Sequence, residues 1–156
     1  MFDLNFNKNK QNIKLIVLAC LTFLWILIIF SFSLQNGEES SQLSGGVVAW
    51  IVELICPEDF AHTELLEFFI RKAAHFTEYF ILGGLLSVTV REAKWSKPVL
   101  LPWGLGTVVA CCDETIQLFS DGRAGQITDV MLDSSGVLVG CVVIYVLIRT
   151  RDKMKS

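Results

Sequence analysis

Long apolar runs alternate with polar connections along this chain, and that alternation predicts its architecture. Lys14 opens the first run, Leu15 to Phe30, which Ser31-Phe32-Ser33-Leu34 extends. About 20 residues are enough for a helix to cross roughly 30 Å of hydrocarbon. Basic residues precede the run, as in a secretory signal. The run is long, however, and no Ala-x-Ala site follows, so an uncleaved span is expected. A second helix is predicted to start near Ala61 to Glu64 and to become membrane-embedded from about Ile70 to Val90. Pro98 introduces a third span, Val99 to about Phe119, and a fourth runs from about Ile127 to Ile148. The predicted fold is an all-α integral membrane bundle of four transmembrane helices. In the first long connection, Ser40 to Ile55 can form an interfacial amphipathic helix, with Val47, Val48, Trp50, Ile51 and Leu54 on its apolar side. Pro57 ends that segment. Residues 1–13 form a polar N-terminus, 14–150 the membrane domain and 151–156 a basic tail.

Composition agrees. With 53% hydrophobic residues and a mean hydropathy of +0.54, the chain is too apolar for an ordinary soluble domain. Four of the cysteines (Cys20, Cys111, Cys112 and Cys141) lie in apolar runs and only Cys56 in a polar connection, so no disulfide framework is expected. The net charge of −3 conceals a segregation. Residues 35–70 hold seven acids and no Lys or Arg, whereas the N-terminus, the 91–97 loop and the C-terminus are basic. The positive-inside rule then places both termini in the cytoplasm. Arg123 is the exception, a single cation in a short connection expected outside.

The chemistry is concentrated where polar residues enter the spans. Arg71, His75 and Glu78 fall within an arc of roughly 60° on one helix face. A charge facing lipid costs at least ~2.5–3.5 kcal/mol, so this stripe is expected to face other helices or a water-filled pocket. Lys72 beside it is expected to anchor at the headgroups. The third span ends with Asp113, Glu114 and Gln117. The fourth begins with Asp129, Asp133, Gly136 and Gly140 on one stripe, where glycines let backbones approach closely. Ser31, Ser33 and Gln35 end the first span. In the predicted topology all of these lie at the outer ends of their helices, so one polar site open to the outer face is expected.

The pieces Phe30-Ser31-Phe32-Ser33-Leu34-Gln35, Lys72-Ala73-Ala74-His75-Phe76-Thr77-Glu78-Tyr79, Asp113-Glu114-Thr115-Ile116-Gln117-Leu118-Phe119, Gly122-Arg123 and Asp129-Val130-Met131-Leu132-Asp133-Ser134-Ser135-Gly136 follow one another in this order. In them the chain resembles the VanZ-like family of small membrane proteins. The resemblance implies a multi-pass bacterial membrane protein connected with the cell envelope. The name-giving member is associated with low-level resistance to the glycopeptide teicoplanin. The resemblance supplies no reaction, and carrying the phenotype to this chain is an analogy.

Three readings follow. In the first, the site binds or processes an anionic headgroup at the outer leaflet. Arg71 and Arg123 hold phosphate, His75 and Glu78 act as general base and orienting carboxylate, and Asp113, Glu114, Asp129 and Asp133 can hold a divalent cation. Gln35 and Gln117 complete the ligand-binding set. In the second, the site is non-catalytic and binds a lipid-linked cell-wall intermediate, a lipoglycopeptide or a partner protein. In the third, the same groups relay protons in a transporter. A purely structural ion-pair network is the bland alternative. Membrane lipids are expected neighbours in every case, and nucleic acid is not an expected partner.

Overall fold

The computed structural model describes residues 2–35, 63–120 and 125–155, with Gln42, Gly45, Gly46 and Trp50 between them. These residues form four helices: α1 (Phe2–Ser33), α2 (Thr63–Glu92), α3 (Leu100–Gln117) and α4 (Ile127–Lys153). No strand occurs among the described residues. The amphipathic segment expected over residues 40–55 falls outside the described residues, apart from Gln42, Gly45, Gly46 and Trp50.

Three stretches, Asn9–Ser33, Leu65–Glu92 and Ile127–Lys153, are long and apolar enough to cross a membrane. They identify a membrane protein. The remaining helix, α3, has 18 residues and is therefore about 27 Å long. It ends in Asp113, Glu114 and Gln117, all buried, so these three side chains face protein and not the surroundings. The expected apolar runs fall on these helices, but α1 begins at Phe2 and α4 continues to Lys153. A helix satisfies its own backbone hydrogen bonds in water or in lipid, so it need not stop where the apolar pattern stops.

The helices alternate in direction. At one end Lys14 of α1 meets Glu92 of α2 at 2.5 Å, and Arg91 meets Asp152 of α4 at 2.9 Å. At the other, Gln117 of α3 reaches Ser33 of α1 at 3.3 Å. Between α2 and α3 the chain reverses in a few residues, with Lys94 (φ 58°) and Lys97 (φ 64°) in the left-handed region. We refer to the two ends as basic and acidic.

The α2–α4 contact is the most extensive, and its glycines explain why. A Cβ on Gly140 would lie 2.1 Å from the Phe80 carbonyl oxygen, and one on Gly83 2.2 Å from that of Val137. One turn nearer the acidic end, a Cβ on Gly136 would come within 2.7 Å of the Phe76 carbonyl oxygen. The backbones touch, as small-residue stripes in membrane helices permit. Around this seam Tyr79, Leu82, Leu86, Ala110, Val137, Cys141 and Ile29 form the buried core. The outward faces are apolar, with Phe23 62% and Val108 61% exposed, as a lipid-facing surface requires.

Polar tethers cross the core. The Trp103 indole donates to Ser134 Oγ at 3.1 Å, and the Thr107 and Ser134 hydroxyls pair at 2.8 Å. Thr22 and Thr89 pair at 3.1 Å between α1 and α2, and the Trp25 indole donates to the Glu78 carbonyl oxygen at 3.0 Å. Cys20, Cys111, Cys112 and Cys141 are free thiols.

Candidate functional site

At the acidic end three helices bring His75 of α2, Asp113 of α3 and Asp133 of α4 together. One ring nitrogen and one oxygen from each carboxylate lie within 4.8 Å of one another. The local reasons are in the elements. Gly136 draws α4 against Phe76 and Tyr79 of α2, and Asp133 is one turn from Gly136 toward the acidic end. Asp113 sits in the last full turn of α3, which Gly106 seats against Val137 of α4; a Cβ there would meet Val137 Cγ1 at 2.5 Å.

Burial of this cluster is severe. Asp113 and Asp133 are fully buried, and His75 is half-buried. Gln117 Nε2 donates at 3.3 Å to both Asp113 Oδ2 and Ser33 Oγ, so α1 also contributes. Both Asp133 oxygens lack a hydrogen-bond partner among the described residues. Asp133 is within electrostatic reach of Asp113, Glu114, Asp129 and Glu78. A buried carboxylate surrounded by others is costly unless it is paired or coordinates a cation.

The other expected residues fall around this centre. Glu114 is 5% exposed; its Oε2 accepts the Gln126 N–H at 2.9 Å, which fastens the end of α3 to the start of α4. Glu78 is half-buried on α2 and interacts electrostatically with Asp133. Lys72 forms a short ion pair with Asp129, both partly buried, so it closes the α2–α4 rim. Arg71 is exposed at the start of the same face and also takes part in an interaction. Gln35 lies just past α1, its backbone N–H on the Phe32 carbonyl at 3.3 Å. Arg123 lies outside the described residues.

Two further residues join the cluster, one of them, Tyr79, not among the expected site residues. Tyr79 is fully buried, and its phenol interacts with Asp113 and is within reach of Asp133. It follows His75 by four residues and therefore shares its face, which is the signal that could have found it. Ser33, 1% exposed, receives Gln117 where Gln35 was expected to take part. Ser33 stands with Ser31 and Gln35 at the polar end of the first run, and the packing selects it from the three.

One family model, described as VanZ/LLP1, matches residues 18–149, most of the chain. No curated protein and no solved structure matches.

Proposed function

The chain belongs to the VanZ-like family, and we propose that it takes an anionic, lipid-linked envelope compound at the outer leaflet and processes its headgroup. The supporting observation is the meeting of His75, Asp113 and Asp133, from three helices, inside a membrane protein. Such groups are expensive to bury in a bilayer, and where they persist they bridge helices or serve a function. In this reading α3 is the fourth span, and the acidic end faces outward because Lys and Arg gather at the other. Arg71, together with Arg123, meets the headgroup phosphate or carboxylate. Glu78 accepts or returns the proton that headgroup chemistry requires, and His75 one turn away holds the reacting headgroup's surroundings in place. Glu114, Asp129 and Gln117 hold the walls of the site, and Gln35 lies at its rim. Lipid-linked cell-wall intermediates and acylated glycopeptides such as teicoplanin both combine an acyl tail with a polar head.

The test is headgroup turnover by purified full-length protein in mixed micelles, with phospholipid and lipid-linked cell-wall precursor as separate substrates. Wild type is expected to release headgroup, and His75→Ala to do so at least about 100-fold more slowly while remaining folded. Tight binding of either amphiphile by wild type without release would replace this reading with a non-catalytic binding role. Teicoplanin susceptibility of cells expressing each variant reports whether this chain contributes to resistance.

A further inference from the structure

We propose that His75, Asp113 and Asp133 form a divalent-metal site, of the Zn²⁺ type, inside the bundle; as the centre of the headgroup-processing site, it rests on the reading above. Three observations lead here. The first is the donor set. An imidazole and two carboxylates, one from each of α2, α3 and α4, offer ligand atoms within 4.8 Å of one another. Zn²⁺ bonds to nitrogen and oxygen are about 2.0–2.2 Å, which puts neighbouring ligand atoms roughly 3–3.5 Å apart. Small side-chain movements close the set around an ion without moving the helices.

The second observation is Asp133 itself. It is fully buried, and neither oxygen has a hydrogen-bond partner among the described residues. A carboxylate in that position needs a cation or a proton. Lys72, the cation on the α2–α4 rim, is paired with Asp129. A divalent ion with two carboxylates and a neutral imidazole sums to zero charge, which removes the burial cost at a single stroke.

The third is the support around the ligands. Metal-bound carboxylates are held in orientation by further hydrogen bonds. Gln117 does this for Asp113, donating to Oδ2 and tying it to Ser33 of α1. Imidazole in the set favours Zn²⁺ and its first-row neighbours over Mg²⁺ or Ca²⁺, which prefer oxygen alone. Three protein ligands leave at least one position open, the pattern of zinc sites that do chemistry.

The experiment uses the full chain, purified with a tag free of histidine and reconstituted in nanodiscs. It is stripped with chelator, then titrated with Zn²⁺, and in parallel with Mn²⁺ and Mg²⁺. Elemental analysis and melting temperature are read together. Wild type is expected to retain one Zn²⁺ per chain after desalting, to melt higher with Zn²⁺ than without, and to respond least to Mg²⁺. Asp133→Asn and His75→Ala are expected to lose at least about ten-fold in Zn²⁺ affinity. Asp152→Asn, at the opposite end of the bundle, should retain it. Wild type that holds no stoichiometric metal and melts identically with each ion overturns the proposal, whatever the variants do. Undiminished Zn²⁺ binding by Asp133→Asn and His75→Ala also overturns it. The two readings fail separately: stoichiometric Zn²⁺ without headgroup turnover removes the processing role and leaves the site. Turnover by metal-free protein removes the site and leaves the role.

Discussion

At the basic end of the bundle, Arg91 meets Asp152 with side chains 47% and 59% exposed. Arg149 donates to the Tyr145 hydroxyl at 2.6 Å, also exposed. These groups border an open cavity of about 570 Å³ that Lys94, Trp95 and Lys153 also line. At the acidic end Asp113 and Asp133 are fully buried, and the carboxylates near them outnumber the cations described there. Both ends carry charge on the same helices. At the basic end water screens the Arg91–Asp152 pair and its loss is cheap. At the acidic end the protein itself must satisfy the charge, so each group is constrained by its neighbours. Charge kept where it is expensive calls for an explanation from function; charge kept where it is cheap does not.

The contrast can be tested from its strongest point down. The largest effect is expected at Glu78. Gln preserves shape but removes the charge and the exchangeable proton, so Glu78→Gln should lower headgroup turnover by at least about 100-fold. Because Glu78 is only half-buried, the fold should survive, with a near-normal melting temperature. A stable and fully active Glu78→Gln protein would remove Glu78 from the site. A protein that fails to accumulate would favour a structural network.

A smaller effect, on stability, is expected in the seam that links the two ends. Gly140→Val drives a side chain into the Phe80 carbonyl, 2.1 Å from the position of its Cβ. Overpacking of this kind costs about 1–3 kcal/mol or more, read as a lower melting temperature. Turnover should fall with it, since α2 and α4 then separate beneath His75 and Asp133. Unchanged melting would show that the seam yields more easily than its contacts imply. The smallest effect is expected at the basic end. A double-mutant cycle with Arg91→Ala and Asp152→Ala should return a coupling of about 0.2–1 kcal/mol and no change in turnover. A coupling comparable to that of a buried pair would erase the contrast.

Much of the architecture was legible in the chain because membrane burial imposes a simple rule. Apolar runs of sufficient length become helices, since only internally bonded backbone survives in lipid. The Gly136/Gly140 stripe on α4 was legible for the same reason, as a place where backbones can touch. The ends of α1 and α4 were not, because helix continues past the hydrocarbon at no backbone cost.

By itself the sequence determined which side chains are ionisable, which helix face each occupies and that they gather near one end. It did not determine which of them meet. A period of 3.6 residues fixes a side chain's position on its own helix, but not the rotation of that helix about its axis relative to its partners. Only the packed structure decided that. Glycine contacts at Gly83, Gly136 and Gly140 set the rotation of α2 against α4. With that rotation set, His75 and Tyr79 turn toward Asp133 and Asp113, Lys72 turns to Asp129, and Arg71 stays exposed. Ser33 rather than Gln35 joins the network because α1 ends where Gln117 can reach it.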